Sequence, residues 1–468
     1  MNRFLDFKRY ASLLLIVTLT VIISCKDDES LKKRKKVSTP TLTNPTNPKV
    51  IPPATSECAT YVLYGYCDKI SYDKGEKVSV YIQSNQSISS CRLNIYDLNH
   101  KLIFSAPSNA LFEQKMTEDD PSVNGYGFVS NASIEIPTII QSGVYMIEGK
   151  IPFIVRETNP VDLLIVYPSN TANAYCESGG KSLYSAVNRP TNVSFERPIP
   201  LQQESLPCLS WFTTLPGFQI GYATDMDLDD YKSISAAKII VIVGHSEYWS
   251  RKARRNFDKF IERGGHAIIL SGNTMWWQIR YSEDKKKLIC HRTTDDPIPD
   301  LEMKTIVWAE PMLNYSIVQS IGEDFNHGGY GVRYADDGWD GFKITLPESP
   351  LLAGLDFKKG DILPLPTGEY DGAPIKEFVD ECPVLDTLEI GAHRVQLIGF
   401  DYGLRASKKT VGTFIVMQPK KDSGVIVNVG SIDWCSSDGI GGAEKDKFKK
   451  ITLNAIKGML DNKSLFVP

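Results

Sequence analysis

Along residues 61 to 157 apolar and polar positions alternate in short runs, Lys77 to Ser84, Cys91 to Tyr96, Ala132 to Ile136 and Gly143 to Ile151, separated by turn-forming residues. A period of two puts one side of each strand on a core and the other in water. No helical repeat of three turns interrupts them. The spacing predicts an all-β, immunoglobulin-like sandwich over 58–158, the size of about 100 residues that such modules have.

At Val161 the pattern changes. Leu163 to Tyr167, Gln219 to Ala223, Ile239 to Val243, Ala267 to Leu270, Val395 to Phe400, Gly412 to Met417 and Val425 to Val429 are apolar without alternation, as in strands covered on both faces. Between two of them, Ser250 precedes Ala253, Phe257, Phe260 and Ile261 at helical spacing, and Gly264-Gly265 follows. This predicts a capped amphipathic helix with a glycine stop. Strand, helix and strand make a βαβ unit, so 159–468 is expected to be an α/β domain with an open, mostly parallel sheet of flavodoxin- or glutamine-amidotransferase-like type. Ligands of such sheets sit at the carboxyl ends of the strands.

Ahead of both parts, Arg3, Lys8 and Arg9 lead into an apolar run, Ala11 to Ile23, that is about five residues short of a membrane span. Residues 1–24 read as a signal peptide. Ile22-Ile23-Ser24-Cys25 resembles the lipobox of bacterial lipoproteins, which makes Cys25 the expected lipidation site. Residues 25–57, with acidic Asp27 to Glu29, basic Lys32 to Lys36 and then Thr, Pro and Asn, have almost nothing to bury and read as a disordered tether. The expected location is a bacterial envelope, with the outer membrane or cell surface ahead of the inner membrane.

The 52 basic and 56 acidic residues nearly balance, and one short basic run is not a binding face, so nucleic acid is not the expected partner. Export permits disulfides, and Cys58, Cys67 and Cys91 are close enough in sequence for one pair. No Cys-x-x-Cys or Cys/His spacing suggests structural zinc.

The chemistry concentrates at Gly244-His245-Ser246-Glu247-Tyr248-Trp249-Ser250, after the run ending at Val243. On extended chain His245 and Glu247 project to the same side. The polar loop from Pro168 to Tyr184 brings Tyr175 to the same rim, and Ser271 to Trp277 supplies small residues and indoles suited to a cavity floor and lid. His100, His266, His291, His327 and His393 read as structural or solvated.

From Phe153 through Trp277 the sequence resembles the large (β) subunit of N,N-dimethylformamidase and its relatives. The likeness rests on Asn170-Thr171 with Ala174-Tyr175, Gly179-Gly180 with Ser182-Leu183-Tyr184, Ser194-Phe195-Glu196-Arg197-Pro198, Thr224-Asp225 with Asp227-Leu228, Gly244 to Ser250, and Gly272-Asn273. It continues more weakly through Gly368-Glu369-Tyr370-Asp371 to Gly430-Ser431-Ile432-Asp433-Trp434. The resemblance implies a mononuclear ferric iron on Tyr175, His245 and Glu247, with Glu369 as candidate general base. Asn273 is a further candidate, by its amide chemistry, as an oxyanion donor or a support for a neighbouring ligand. The activity the resemblance implies is hydrolysis of an amide or related C–N bond in a small molecule.

The sequence departs from the family in three ways. Ser246 stands where the family has Pro, which is expected to keep the geometry but loosen the loop. The characterised enzyme pairs with a small subunit, and an oligomer is compatible with this chain. An exported setting also makes dimethylformamide itself a poor expectation. Two rival readings are a non-catalytic, lipid-anchored surface protein that binds a ligand in the same pocket, and a cysteine hydrolase using Cys176, which lacks the glycine-flanked elbow such a nucleophile needs.

Overall fold

A computed structural model describes residues 58–468. Residues 1–57, with the expected signal peptide, tether and Cys25, lie outside the described residues. The described chain is mostly β-structure with few helices. Among the described residues, no helix is long and apolar enough to cross a membrane.

Two sheets pack together at the N-terminal end. Val62–Cys67, Lys77–Ser84 and Ala132–Glu135 form an antiparallel three-stranded sheet, and Ser71–Tyr72, Ile151–Val155, Gly143–Ile147, Arg92–Asp97 and Leu102–Pro107 form a five-stranded one. Alternate residues such as Val78, Val80, Ile82, Leu93, Ile95 and Ile147 fill the core between them. Of the three cysteines near one another in sequence, Cys58 and Cys91 form the disulfide, and Cys67 is buried and free.

The rest is built on an eleven-stranded sheet. Its strands in chain order are β1 (Val161–Tyr167), β2 (Ile220–Thr224), β3 (Ala237–Gly244), β4 (His266–Ser271), β5 (Asp324–Tyr330), β6 (Gly341–Ile344), β7 (Ile362–Pro364), β8 (Glu369–Gly372), β9 (Arg394–Arg405), β10 (Lys408–Gln418) and β11 (Ile426–Asn428). The order is β2-β1-β3-β4-β11-β10-β9-β5-β8, with β6 and β7 off β9. β2, β1, β3, β4 and β11 pair in parallel. Every pairing from β11 onward is antiparallel.

The expectation of a mostly parallel sheet is therefore corrected to a mixed one. β9 and β10 are one long hairpin whose two-residue turn, Ala406-Ser407, has φ of 45° and 64°. Both residues at positive φ give the turn that matches strand twist, which usually takes Asn-Gly. Ala-Ser carries no such signal, so the two apolar runs looked like separate buried strands.

In the parallel half the apolar runs are covered on both faces, as expected. Leu163, Ile165, Val241 and Val243 face one core with the C-terminal helix Lys445–Leu460. Leu164, Val166, Ile240 and Ile242 face the other, with Phe257, Phe260 and Ile261 of the Arg251–Glu262 helix. Ser250 caps that helix by accepting from the Ala253 amide at 2.9 Å. Because β1 and β3 are neighbours while β2 lies beyond β1, the chain turns in opposite directions from the two strands, and their carboxyl ends open a crevice.

Candidate functional site

The crevice holds the predicted residues. After β1 and Pro168 the chain forms a short helix, Ser169–Tyr175, where sequence patterning suggested only a loop. Its start is fixed by Asp225, which accepts from the Ser169 hydroxyl at 2.5 Å and the Asn170 amide at 3.0 Å. Six of its residues are buried; Tyr175, the last, is 40 % exposed, with its hydroxyl turned toward β3.

At the end of β3, Gly244 takes φ 71°, and a side chain there would meet the Ser205 hydroxyl at 2.0 Å. The chain leaves the sheet sharply as a result. Gln202 holds the His245 backbone, accepting from its amide at 3.3 Å and donating to its carbonyl at 3.1 Å. Thr171 Oγ1 accepts from the Glu247 amide at 2.9 Å. Ser246 does not loosen the loop. Its amide donates to Ser271 Oγ at 3.1 Å, a bond proline cannot make, and its hydroxyl accepts from the Trp249 indole at 3.0 Å.

Tyr175, His245 and Glu247 converge. Tyr175 Oη lies 2.9 Å from Glu247 Oε2 and 3.3 Å from His245 Nε2, and His245 Nε2 lies 3.4 Å from Glu247 Oε2. His245 Nδ1 faces the Gly272 carbonyl at 3.2 Å. A carbonyl only accepts, so Nδ1 carries the proton, and in the neutral ring the Nε2 lone pair points into the cluster.

Glu247 is 2 % exposed and is held from three sides. Besides Tyr175, it accepts from the Tyr184 hydroxyl at 2.9 Å and from the Trp277 indole nitrogen at 2.9 Å. The Arg292 guanidinium stacks over both rings, 4.5 Å from Tyr184 and 4.4 Å from Trp277, and brings positive charge to the buried carboxylate. The sequence reading assigned no role to Tyr184, Arg292 or Gln202, and took Trp277 as a cavity-lining indole and not as a partner of Glu247. Tyr184 and Trp277 do stand inside the quoted motifs, which was the available signal.

Glu369, the first residue of β8, reaches the same cluster, with Oε2 at 3.6 Å from His245 Nε2. Asn273 donates to Glu369 Oε2 at 2.9 Å. Asn273 thus orients a carboxylate with one of the two N–H groups of its amide nitrogen. Its loop is bent: Asn273 and Met275 take left-handed φ of 50° and 58°. Three bonds hold it, from Met275 to the Ser246 carbonyl, from Thr274 to Asp371 and from Trp277 to the Glu247 carbonyl.

Although Tyr175 as a whole is 40 % exposed, desolvation of its phenol inside the cluster, together with Glu247 and Glu369, holds that group well above its ordinary range. Burial of His245 works against its charged form, but Glu369 and Glu247 outweigh it and the net shift is upward. Unassisted, the phenol is neutral, and it ionises only beside a cation.

The remaining histidines sit apart. His266 Nδ1 accepts from the Val425 amide at 3.0 Å, and His327 pairs with Asp324 at 2.8 Å. Cys176 is buried, with its thiol on the Pro198 carbonyl at 3.3 Å, so it lacks the exposed elbow of a nucleophile. Among the described residues, no three His, Cys, Asp or Glu side chains form a metal-binding group by themselves. A cation at this cluster would need the Tyr175 phenol.

No curated protein matches the chain. The family described as N,N-dimethylformamidase beta subunit-like, C-terminal, matches residues 92–439, a span that contains every residue of the cluster. Since that match covers well over half of the sequence, the chain belongs to the N,N-dimethylformamidase beta subunit-like family.

Proposed function

We propose that the chain is a metal-dependent, amidase-like hydrolase that cleaves an amide or related C–N bond of a small molecule. The observation that carries this reading is the convergence of Tyr175 Oη, His245 Nε2 and Glu247 Oε2 within 2.9–3.4 Å of one another. Three donors bound about 2.0–2.2 Å from one first-row ion stand roughly 2.8–3.6 Å apart. The donor set fits a single ion. Two anionic oxygens and one imidazole suit ferric iron, and three protein ligands leave positions for water and substrate.

When bound, the ion supplies Lewis acidity that polarises a carbonyl and acidifies water. The chain's own residues do the rest. Glu369 is placed to take a proton from the attacking water and return it to the leaving nitrogen. Asn273 fixes the oxygen that does so. Tyr184 and Trp277 keep Glu247 aimed, and Arg292 stacks on both of their rings.

Two further readings belong with this one. The packed N-terminal sheets are compatible with an immunoglobulin-like sandwich, and the β2-β1-β3-β4 order with a doubly wound, flavodoxin- or amidotransferase-like half-sheet. The lipobox-like Cys25 supports a lipid-anchored envelope protein.

The test is metal analysis of wild type beside Tyr175→Phe and His245→Ala. Wild type is expected to hold about one iron per chain, with a phenolate-to-iron absorption band that Tyr175→Phe abolishes. Full metal content in both variants refutes the ligand assignment. Metal-free, colourless wild type that still binds amides favours the binding-protein reading.

A further inference from the structure

An aromatic wall runs from Glu247 to Glu369 and carries a guanidinium at its centre. Trp277, bonded to Glu247, meets Trp276 edge-on at 6.1 Å between ring centroids. Trp276 meets Phe325 at 5.6 Å, Phe325 meets Tyr330 at 5.3 Å, and Tyr330 meets Tyr334 at 6.1 Å. Tyr334 closes the arc against Gly368, beside Glu369, so tightly that a side chain at Gly368 would meet its ring at 2.7 Å. Arg405, the last residue of β9, stacks on the middle, 4.8 Å from the Trp276 ring and 4.5 Å from the Phe325 ring.

Arg197, Arg251 and Arg254, also buried, each donate several side-chain hydrogen bonds, although the Nε groups of Arg251 and Arg254 have no partner. Arg197 donates six times to the backbone and Asn173, Arg251 to Glu302 and the Leu313 carbonyl, and Arg254 to Ser320 and two carbonyls. Arg405 is half-buried and, among the described residues, donates no side-chain hydrogen bond and pairs with no carboxylate. Ring faces stabilise a guanidinium while leaving its N–H edge free. A half-buried cation with that edge open, in the wall of a crevice, is matched by a planar anion that accepts two parallel bonds.

Strand register sets the reach. Glu369 lies opposite Tyr330, and Tyr330 opposite Leu404, on adjacent strands. Two strand spacings separate Glu369 from Leu404 and its neighbour Arg405, about 10 Å between backbones. Burial pushes the Arg405 guanidinium below its ordinary range, with Tyr330, Asp324 and Glu369 opposing that shift.

We infer that Arg405 recognises a carboxylate on the substrate, so that the amide handled at Tyr175, His245 and Glu247 carries a carboxylate a few bonds from its C–N bond. This rests on the amidase reading for the cleaved bond, while the recognition of the anion stands on Arg405 and its aromatic setting.

The experiment uses the full metal-loaded chain and two probe pairs of equal shape, succinamate with succinamide and glutaramate with glutaramide. Titration calorimetry gives the affinities, and ammonia release is followed in the same samples. In wild type at least one acid is expected to bind about tenfold or more tighter than its diamide, the range of a charge-assisted pair. Arg405→Met is expected to reduce that ratio to near one while leaving diamide affinity within about twofold, and Arg405→Lys to retain part of it. Should the Met variant fail to fold by thermal melting, the Lys variant decides, a wild-type ratio there counting against the proposal.

Acids that bind no tighter than diamides, a preference that survives in Arg405→Met, or no binding of any probe overturns it. Acid preference without ammonia release leaves anion recognition standing and removes the amidase reading. Ammonia release with no Arg405-dependent preference does the reverse.

Discussion

Replacing Arg197 by Lys tests how the Tyr175 helix is held. Arg197 is fully buried in the motif Ser194 to Pro198. Its Nε donates to the Ser194 carbonyl at 2.9 Å, and Nη1 faces the Cys176, Ser178 and Lys181 carbonyls at 2.9, 2.6 and 3.2 Å. Nη2 faces Asn173 O and Oδ1, both at 2.8 Å. Five N–H groups thus serve six oxygens, four of them on the chain from Asn173 to Ser178 that brackets Tyr175. Lysine has three donors on one nitrogen. At least two of the carbonyls lose their partner, at about 1–3 kcal/mol each when buried. A loss of roughly 2–6 kcal/mol is expected in urea unfolding, although charge and stem length are nearly conserved. Because Asn173 and Cys176 flank Tyr175, bound iron should fall with it. A Lys variant within about 0.5 kcal/mol of wild type, with full metal content, would refute the claim that this one side chain positions the phenol.

Three other outcomes are expected. Glu369→Gln should lower kcat by about 10²–10⁴ while iron content stays at the wild-type level, since Glu369 is read as a proton carrier and not a ligand; an unchanged kcat contradicts that role. Asp371 is buried and accepts from the Thr274 amide, and burial pushes its carboxyl up to about 7 from 3.8. Between those values the folded protein holds a proton that the unfolded chain has released. Stability therefore falls as pH rises through that window, by a few kcal/mol in all. Asp371→Asn should gain on wild type between pH 4 and pH 8 by chemical denaturation, and a difference that does not change with pH removes the argument. The Cys58–Cys91 bridge spans 33 residues; the Cys58→Ser, Cys91→Ser protein should lose about 3–4 kcal/mol in the N-terminal sheets, and an unchanged melting midpoint denies the bridge a stabilising role.

Much of the site was legible because its residues stand at places that local rules single out. His245 and Glu247 share a side because extended chain has a period of two, and they follow a continuous apolar run ending in a glycine. Tyr175 was placed on the rim by the polar loop after the first strand, while Glu369 was reached only through motif likeness, since it does not lie where periodicity marks a site. The partners of Glu247 could not be derived locally, as Tyr184 and Trp277 are 63 and 30 residues away and meet it through strand-end loops. The partner of Asn273, Glu369, stands 96 residues on and could not be derived locally either.

The sequence by itself determined that the apolar runs of β1 to β4 and β9 to β11 are strands, which face of the Arg251–Glu262 helix is buried and where that helix starts, because periods of 2 and 3.6 and a capping hydroxyl act between near neighbours. Tertiary structure alone decided the direction of β9 and β10, the choice of Cys91 over Cys67 as partner of Cys58, and the gathering of Tyr175, His245, Glu247 and Glu369. Those depend on how separate segments pack in space, and no local pattern encodes a distance between segments that become neighbours only when the sheet assembles.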